Sequence, residues 1–151
     1  MVARVSLIPK EPNDFHVACL PPETQRAFLY CSKLPLFSES IWYLAGGTAL
    51  ALQVGHRRSF DLDFFIPQPT FSEDALERAL FATGYWLTSL RAEGTLYGEL
   101  QGAKMSFIAY PFFTPSPERL ACGHVRILLP QDIAVMKIIA MSQRGKKRDF
   151  V

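Results

Sequence analysis

Asp61-Leu62-Asp63 places two carboxylates at i and i+2. On a β-strand those positions share a face. Two acids held side by side repel each other unless a cation or a proton lies between them. Mg²⁺ (or Mn²⁺) is the natural partner, because one or two carboxylates can hold it and leave positions free for phosphate oxygens. The plain alternative is a strand edge whose acids face water. Phe60, Phe64, Phe65 and Ile66 flank the pair and make the segment read as an apolar, buried strand. Upstream, Gly46-Gly47-Thr48 follows the apolar run Ile41-Trp42-Tyr43-Leu44-Ala45. Glycine there permits positive φ and close approach of a ligand to the backbone. Free N–H groups at a following helix start can hold a phosphate. A tight strand-to-helix turn would use the same residues. The segment has neither the GxxxxGK[ST] pattern of a P-loop nor the GxGxxG of a Rossmann turn.

A third signal is Lys137, in the run Asp132-Ile133-Ala134-Val135-Met136-Lys137-Ile138-Ile139-Ala140-Met141. A helix apolar on nearly every side should be buried, and a lysine within it needs a carboxylate or a phosphate unless it snorkels to solvent. Arg144, Lys146, Lys147, Arg148 and Asp149 follow. Such a basic cluster is either a solvated face or a contact for RNA phosphates. His56-Arg57-Arg58-Ser59 leads into the Asp61/Asp63 segment, where it forms a polar loop that could touch a triphosphate. His16, His56 and His124 show no metal-ligand spacing. No nucleophile elbow or Cys/His pair points to covalent catalysis.

These residues need a scaffold, and the chain is long enough to build one. It has 151 residues, 49% of them apolar, and a net charge of +2. That composition excludes a disordered chain, a collagen and a coiled coil, and the weak charge does not by itself make a nucleic-acid binder. Cys19, Cys31 and Cys122 form no CxxC pair. An odd count without a secretion signal reads as reduced thiols in a cytoplasm. No run reaches the ~18 apolar residues of a membrane span.

The expected elements begin with an irregular lead-in over residues 1–21 and a helix from Pro22 ended by Pro35. Strand Ile41–Ala45, a helix N-capped by Thr48 through Val54 and strand Phe60–Ile66 follow. Ser72-Glu73-Asp74 opens an amphipathic helix with Ala75, Leu76, Ala79 and Leu80 inward. Trp86–Arg91, Thr95–Leu100 and Lys104–Tyr110 read as an antiparallel meander. A prolyl loop, strand Val125–Leu129 and a helix from Pro130 to about Gln143 complete the order. This is an α+β fold, a mixed sheet flanked by helices.

Taken together, a strand, Gly46-Gly47, a short helix and Asp61-x-Asp63 on a second strand resemble the nucleotidyltransferase superfamily with the polymerase-β-like fold. More closely, Tyr43-Leu44-Ala45-Gly46-Gly47-Thr48-Ala49-Leu50, His56-Arg57-x-Ser59-x-Asp61-Leu62-Asp63-Phe64-Phe65, Asp132-Ile133-Ala134-x-Met136-Lys137-x-x-Ala140 and Arg144-Gly145-x-Lys147-Arg148-Asp149-Phe150-Val151 resemble the AbiEii/AbiGii toxin family. The likeness covers roughly residues 40–151.

The resemblance implies Mg²⁺- or Mn²⁺-dependent transfer of a nucleoside monophosphate from NTP to an acceptor, RNA or tRNA in the toxin branch, with a cognate antitoxin protein as partner and no membrane. By the same resemblance Asp61 and Asp63 hold metal. Gly46, Gly47, Thr48, Arg57 and Ser59 hold the nucleotide, Lys137 contacts a phosphate, and Asp149 is a late acidic motif. The superfamily carries a third carboxylate on a neighbouring strand, where this chain has Ser106. The expected division is a lead-in and helix over 1–40, a nucleotidyltransferase core over 41–129, and over 130–151 the start of a helical region that family members usually extend. The chain thus reads as a truncated or short form. Two alternatives stand beside the enzyme: a catalytically degenerate nucleotide or RNA binder, and a protein-interaction scaffold.

Overall fold

Strand β3 (Leu62–Ile66) sits near the middle of the molecule, and its alternation sorts the fold into two sides. Leu62, Phe64 and Ile66 are buried on one face, while Asp63 and Phe65, half-buried, point to the other. The computed structural model describes residues 5–149, with side chains described through residue 143. Within them, eight strands form one mixed sheet in the order β1-β7-β8-β2-β3-β6-β5-β4. These are β1 (Ser6–Lys10), β2 (Tyr43–Ala45), β3, β4 (Trp86–Ala92), β5 (Thr95–Leu100), β6 (Ala103–Ala109), β7 (Glu118–Cys122) and β8 (Val125–Ile127). The helices are α1 (Pro22–Cys31), α2 (Pro35–Ser38), α3 (Gly46–Val54), α4 (Glu73–Phe81) and α5 (Pro130–Asp149). The α+β class and the mixed sheet flanked by helices are as the sequence leads one to expect.

On the first face, Phe64 packs against Phe37 of α2 and Phe107 of β6, with ring centroids 4.6 and 5.3 Å away. Trp42 and Trp86 meet Phe107 edge-on. This aromatic cluster anchors the core: Phe37, Phe64 and Phe107 are fully buried. On the second face, Tyr43 stacks on Phe65 at 6.1 Å. There Phe65, Leu50 of α3 and Ile133 of α5 border a common cavity.

The meander β4–β5–β6 matches the expected strands almost residue for residue. Ser72 caps α4, its hydroxyl accepting from the Ala75 amide at 3.2 Å. Other expectations need correction. The lead-in is not irregular: β1 pairs in parallel with β7, a strand that local pattern does not announce. Strand β3 begins at Leu62, leaving Asp61 just before it and Phe60 61% exposed. Helix α3 starts at Gly46, so Thr48 lies inside its first turn and is not its N-cap. Helix α5 runs past Gln143 to Asp149, and it is not buried all round. Val135, Ile138 and Met141 face solvent, because only one side of α5 meets the body of the fold.

Candidate active site

Strands β2 and β3 run antiparallel with Ala45 opposite Asp63, so the end of β2 delivers the start of α3 beside the Asp63 carboxylate. Gly46 makes the turn with φ of +75°, a conformation that disfavours side chains. A Cβ at that position would lie 3.2 Å from Asp63 Oδ2. The N-cap residue, Ala45, offers no side-chain acceptor, so the first amides of α3 lack a side-chain cap. An open helix start beside a carboxylate is an arrangement that a metal–phosphate pair can complete.

Asp63 is the most perturbed acid of the site. Burial pushes its pKa up, the hydroxyl of Ser106 pulls it down, and the charge of Asp61 raises it further. Strand β6 lies parallel to β3 with Ser106 directly across from Asp63, and Ser106 Oγ donates to Asp63 Oδ1 at 2.7 Å. Asp61 is exposed at the mouth of the strand and borders a cleft with Thr24 and Lys104. A half-buried carboxylate whose pKa is raised, with a second acid acting on it, is a donor set that a hard cation would stabilise. Two carboxylates would then share Mg²⁺ with phosphate oxygens and water. Among the described residues no group of three or more His, Cys, Asp or Glu side chains is placed to hold a metal ion.

Beside Gly46 opens a cavity of about 490 Å³ between α3, β3 and α5. Gly47, Arg57 and Lys137 all border it. The Arg57 guanidinium occupies the space over Gly47, and a Cβ there would fall 2.2 Å from Arg57 Nη2. Lys137 is exposed on α5 and reaches the cavity rim, so the lysine is not forced into an apolar interior as its sequence context implies. The His56 imidazole also borders it, and no acidic side chain lines the cavity. The rim is therefore electropositive while the interior is built from Leu50, Phe65, Tyr110, Ile133 and Met136.

Thr48 and Ser59 play another part. Both are buried, at 1% and 9% exposure, and their hydroxyls share a hydrogen bond of 2.5 Å. The Thr48 hydroxyl also bonds the Asp61 carbonyl. The pair ties the segment before β3 to the first turn of α3, which fixes where the Asp61 backbone enters the site. Neither hydroxyl faces the cavity. The Asp149 side chain lies outside the described residues.

Residues 27–101 match the family model of the nucleotidyl transferase AbiEii toxin, Type IV TA system. Over this segment the chain belongs to the AbiEii family. The matched residues include the α3 start, Arg57, Asp61 and Asp63. An uncharacterized protein of Aquifex aeolicus (strain VF5) is 39% identical over 113 residues, which are 72% of this chain and 54% of that protein. This chain thus spans about half the length of the curated relative it matches. A crystal structure of a candidate nucleotidyltransferase from H. pylori superposes with a TM-score of 0.47 at 17% identity, over 74% of this chain and 55% of that one.

Within this AbiEii domain, the apolar half of the cavity is what motif reading overlooks. Phe65 could be found from parity, since it lies two residues beyond Asp63 on the same strand face. Ile133 and Ala140 could be found from Lys137, four and three positions away on one helix face, and Met136 from its own spacing of three and four to Ile133 and Ala140. Tyr110, just past β6, carries no local signal of its role. Among the described residues no helix is long and apolar enough to cross a membrane.

Proposed function

We propose that this chain forms the nucleotide- and metal-binding part of a nucleotidyltransferase. It moves a nucleoside monophosphate from NTP to an RNA or tRNA acceptor, as the cytoplasmic toxin of a type IV toxin–antitoxin pair with a cognate antitoxin. One observation carries the reading. The perturbed Asp63 carboxylate faces Gly46 at the open start of α3, and Arg57 and Lys137 border the cavity that begins there. Family membership supports the reaction class.

In this reading the amides of α3 and the cations of Arg57 and Lys137 bind the triphosphate and orient it along the mouth of the cavity. Asp61 and Asp63 would hold Mg²⁺ (or Mn²⁺), which would supply neutralisation of phosphate charge for an in-line displacement. The acceptor hydroxyl oxygen bonds to the α-phosphorus as the bond from that phosphorus to the oxygen bridging the β-phosphate breaks; the hydroxyl proton passes to solvent, and pyrophosphate leaves toward the basic rim. Thr48 and Ser59 are positioning residues, holding the Asp61 backbone against α3. Residues 41–129 serve as the transferase core, and α5 contributes Lys137 from the segment 130–151.

Incubation with each labelled NTP, Mg²⁺ and total RNA should label RNA, and Asp63→Asn should abolish the label. Labelled RNA that is unaffected by Asp63→Asn refutes the site. A second reading, nucleotide binding without transfer, is favoured by Ser106 standing across from Asp63 where a third acid would complete the metal set. Tight NTP binding with no transfer to any RNA selects it.

A further inference from the structure

We infer that the apolar end of the cavity seats the base of the NTP and selects it by ring area, with Tyr110 as the specificity-determining residue. This rests on the reading of the cavity as an NTP site. Two unlike sets of residues line the cavity: the exposed cations Arg57 and Lys137, which make an electropositive mouth, and the half-buried or buried Leu50, Phe65, Tyr110, Ile133 and Met136, which make its apolar part. A ligand that satisfies both has an anionic end and a flat or apolar body, and its volume of about 490 Å³ lies within the range of small-molecule sites.

Phe65 and Tyr110 meet edge to face, with centroids 6.0 Å apart and planes at 72°. Phe65 is already covered on one side by Tyr43. Tyr110 is half-buried, packs edge-on against Phe112 and borders the cavity, so it is the ring available to a base. The Tyr110 hydroxyl is directed to Gln143 Oε1 at 3.4 Å.

Leu50, Phe65, Ile133 and Met136 present no strong donor or acceptor to a base edge, the Tyr110 hydroxyl is directed to Gln143, and exposed His56 stands beside Arg57 with the basic groups. Discrimination between bases of equal size needs such groups, because a site built to hydrogen-bond an edge rejects the wrong one strongly and an apolar site does not. Stacking, by contrast, grows with ring area and tolerates any base. The cavity should therefore prefer purines to pyrimidines and barely separate adenine from guanine.

The test is calorimetric titration of ATP, GTP, CTP, UTP and inorganic tripolyphosphate, each with Mg²⁺, into the parent chain, Tyr110→Phe and Tyr110→Ala. The parent should bind purine triphosphates several-fold more tightly than pyrimidine ones, with ATP and GTP within about threefold of each other. All four should bind more tightly than tripolyphosphate. Tyr110→Phe should keep this order. Tyr110→Ala should lose about tenfold or more for purines while keeping its tripolyphosphate affinity, which reports an intact mouth. If Tyr110→Ala loses tripolyphosphate too, the substitution has disturbed the fold, and the parent's ranking decides.

Nucleotides binding no better than tripolyphosphate in the parent would place the base outside the cavity and overturn this inference, leaving the transferase reading standing. Pyrimidines equal to or tighter than purines would overturn it as well. Failure of every probe to bind would overturn the NTP reading itself and this inference with it.

Discussion

Gly47→Ala separates the stability of this domain from its proposed ligand binding. Gly47 is a first-turn residue of α3 and its φ lies outside the left-handed region, so alanine meets no backbone strain there. Its methyl would instead fall 2.2 Å from Arg57 Nη2, the tip of a long and exposed side chain. The guanidinium can swing away at little cost, and the helix gains from replacing glycine by alanine, by at most about 1 kcal/mol. For a chain of this size that corresponds to an increase of roughly 2–4 °C in Tm. Binding should move the other way. If Arg57 over Gly47 supplies a charge-assisted contact to phosphate, its displacement removes about 1.5–3 kcal/mol, or roughly ten- to a hundredfold in affinity for Mg²⁺–tripolyphosphate. Arg57→Ala should show the same loss, and the double variant should lose no more than either single one, since both act through one contact. Differential scanning fluorimetry and calorimetry measure the two effects on the same samples. Unchanged affinity in Gly47→Ala, or losses that add in the double variant, would refute the role assigned to the guanidinium over the glycine.

Asp63→Asn should stabilise the metal-free protein at neutral pH. The folded-state pKa of Asp63 is raised, mainly by burial, so its favourable contribution is complete below the ordinary carboxylate pKa and is lost as pH rises through the raised folded value. With EDTA present, the Tm advantage of Asp63→Asn over the parent should therefore widen from about pH 4 to pH 7, and an advantage that shrinks across that range would contradict the assignment. Arg119→Met should raise Tm by a few degrees, because Arg119 is buried, its Nε has no partner among the described residues, and its main compensation is the Tyr43 ring 5.7 Å away. A fall of several degrees would show that the cation–π contact outweighs the desolvation.

The elements that sequence reveals here are those fixed by short-range chemistry. Ser72 caps α4 through its own hydroxyl, and the β4–β5 and β5–β6 turns carry Gly94 and Gly102 at positive φ, so hairpins and cap are written locally. What stays hidden is decided by partners distant in the chain. Ser6–Lys10 is exposed at every residue, and only its register against Glu118–Cys122 makes it a strand. The first turn of α3 is misread for a related reason: Thr48 looks like a cap, but its hydroxyl bonds the Asp61 carbonyl and Ser59, eleven or more residues away.

The same division runs through the candidate site. Gly46, Gly47, Asp61 and Asp63 stand out because their types and spacing are unusual wherever they occur. Leu50, Phe65, Tyr110, Ile133 and Met136 are ordinary core residues by type, and only the meeting of α3, β3 and α5 turns them into one apolar wall. Lys137 joins the two sets. An apolar run around a lysine predicts a buried helix, yet α5 leaves Val135, Ile138 and Met141 in solvent and turns Ile133, Met136, Lys137 and Ala140 to the cavity. Its charge is thus tolerated by exposure, and its place is set by the helix face it shares with the apolar wall. A single helix face thus carries both a cation at the cavity rim and side chains of the apolar wall, so in the proposed reading one rigid element would tie phosphate binding to base seating.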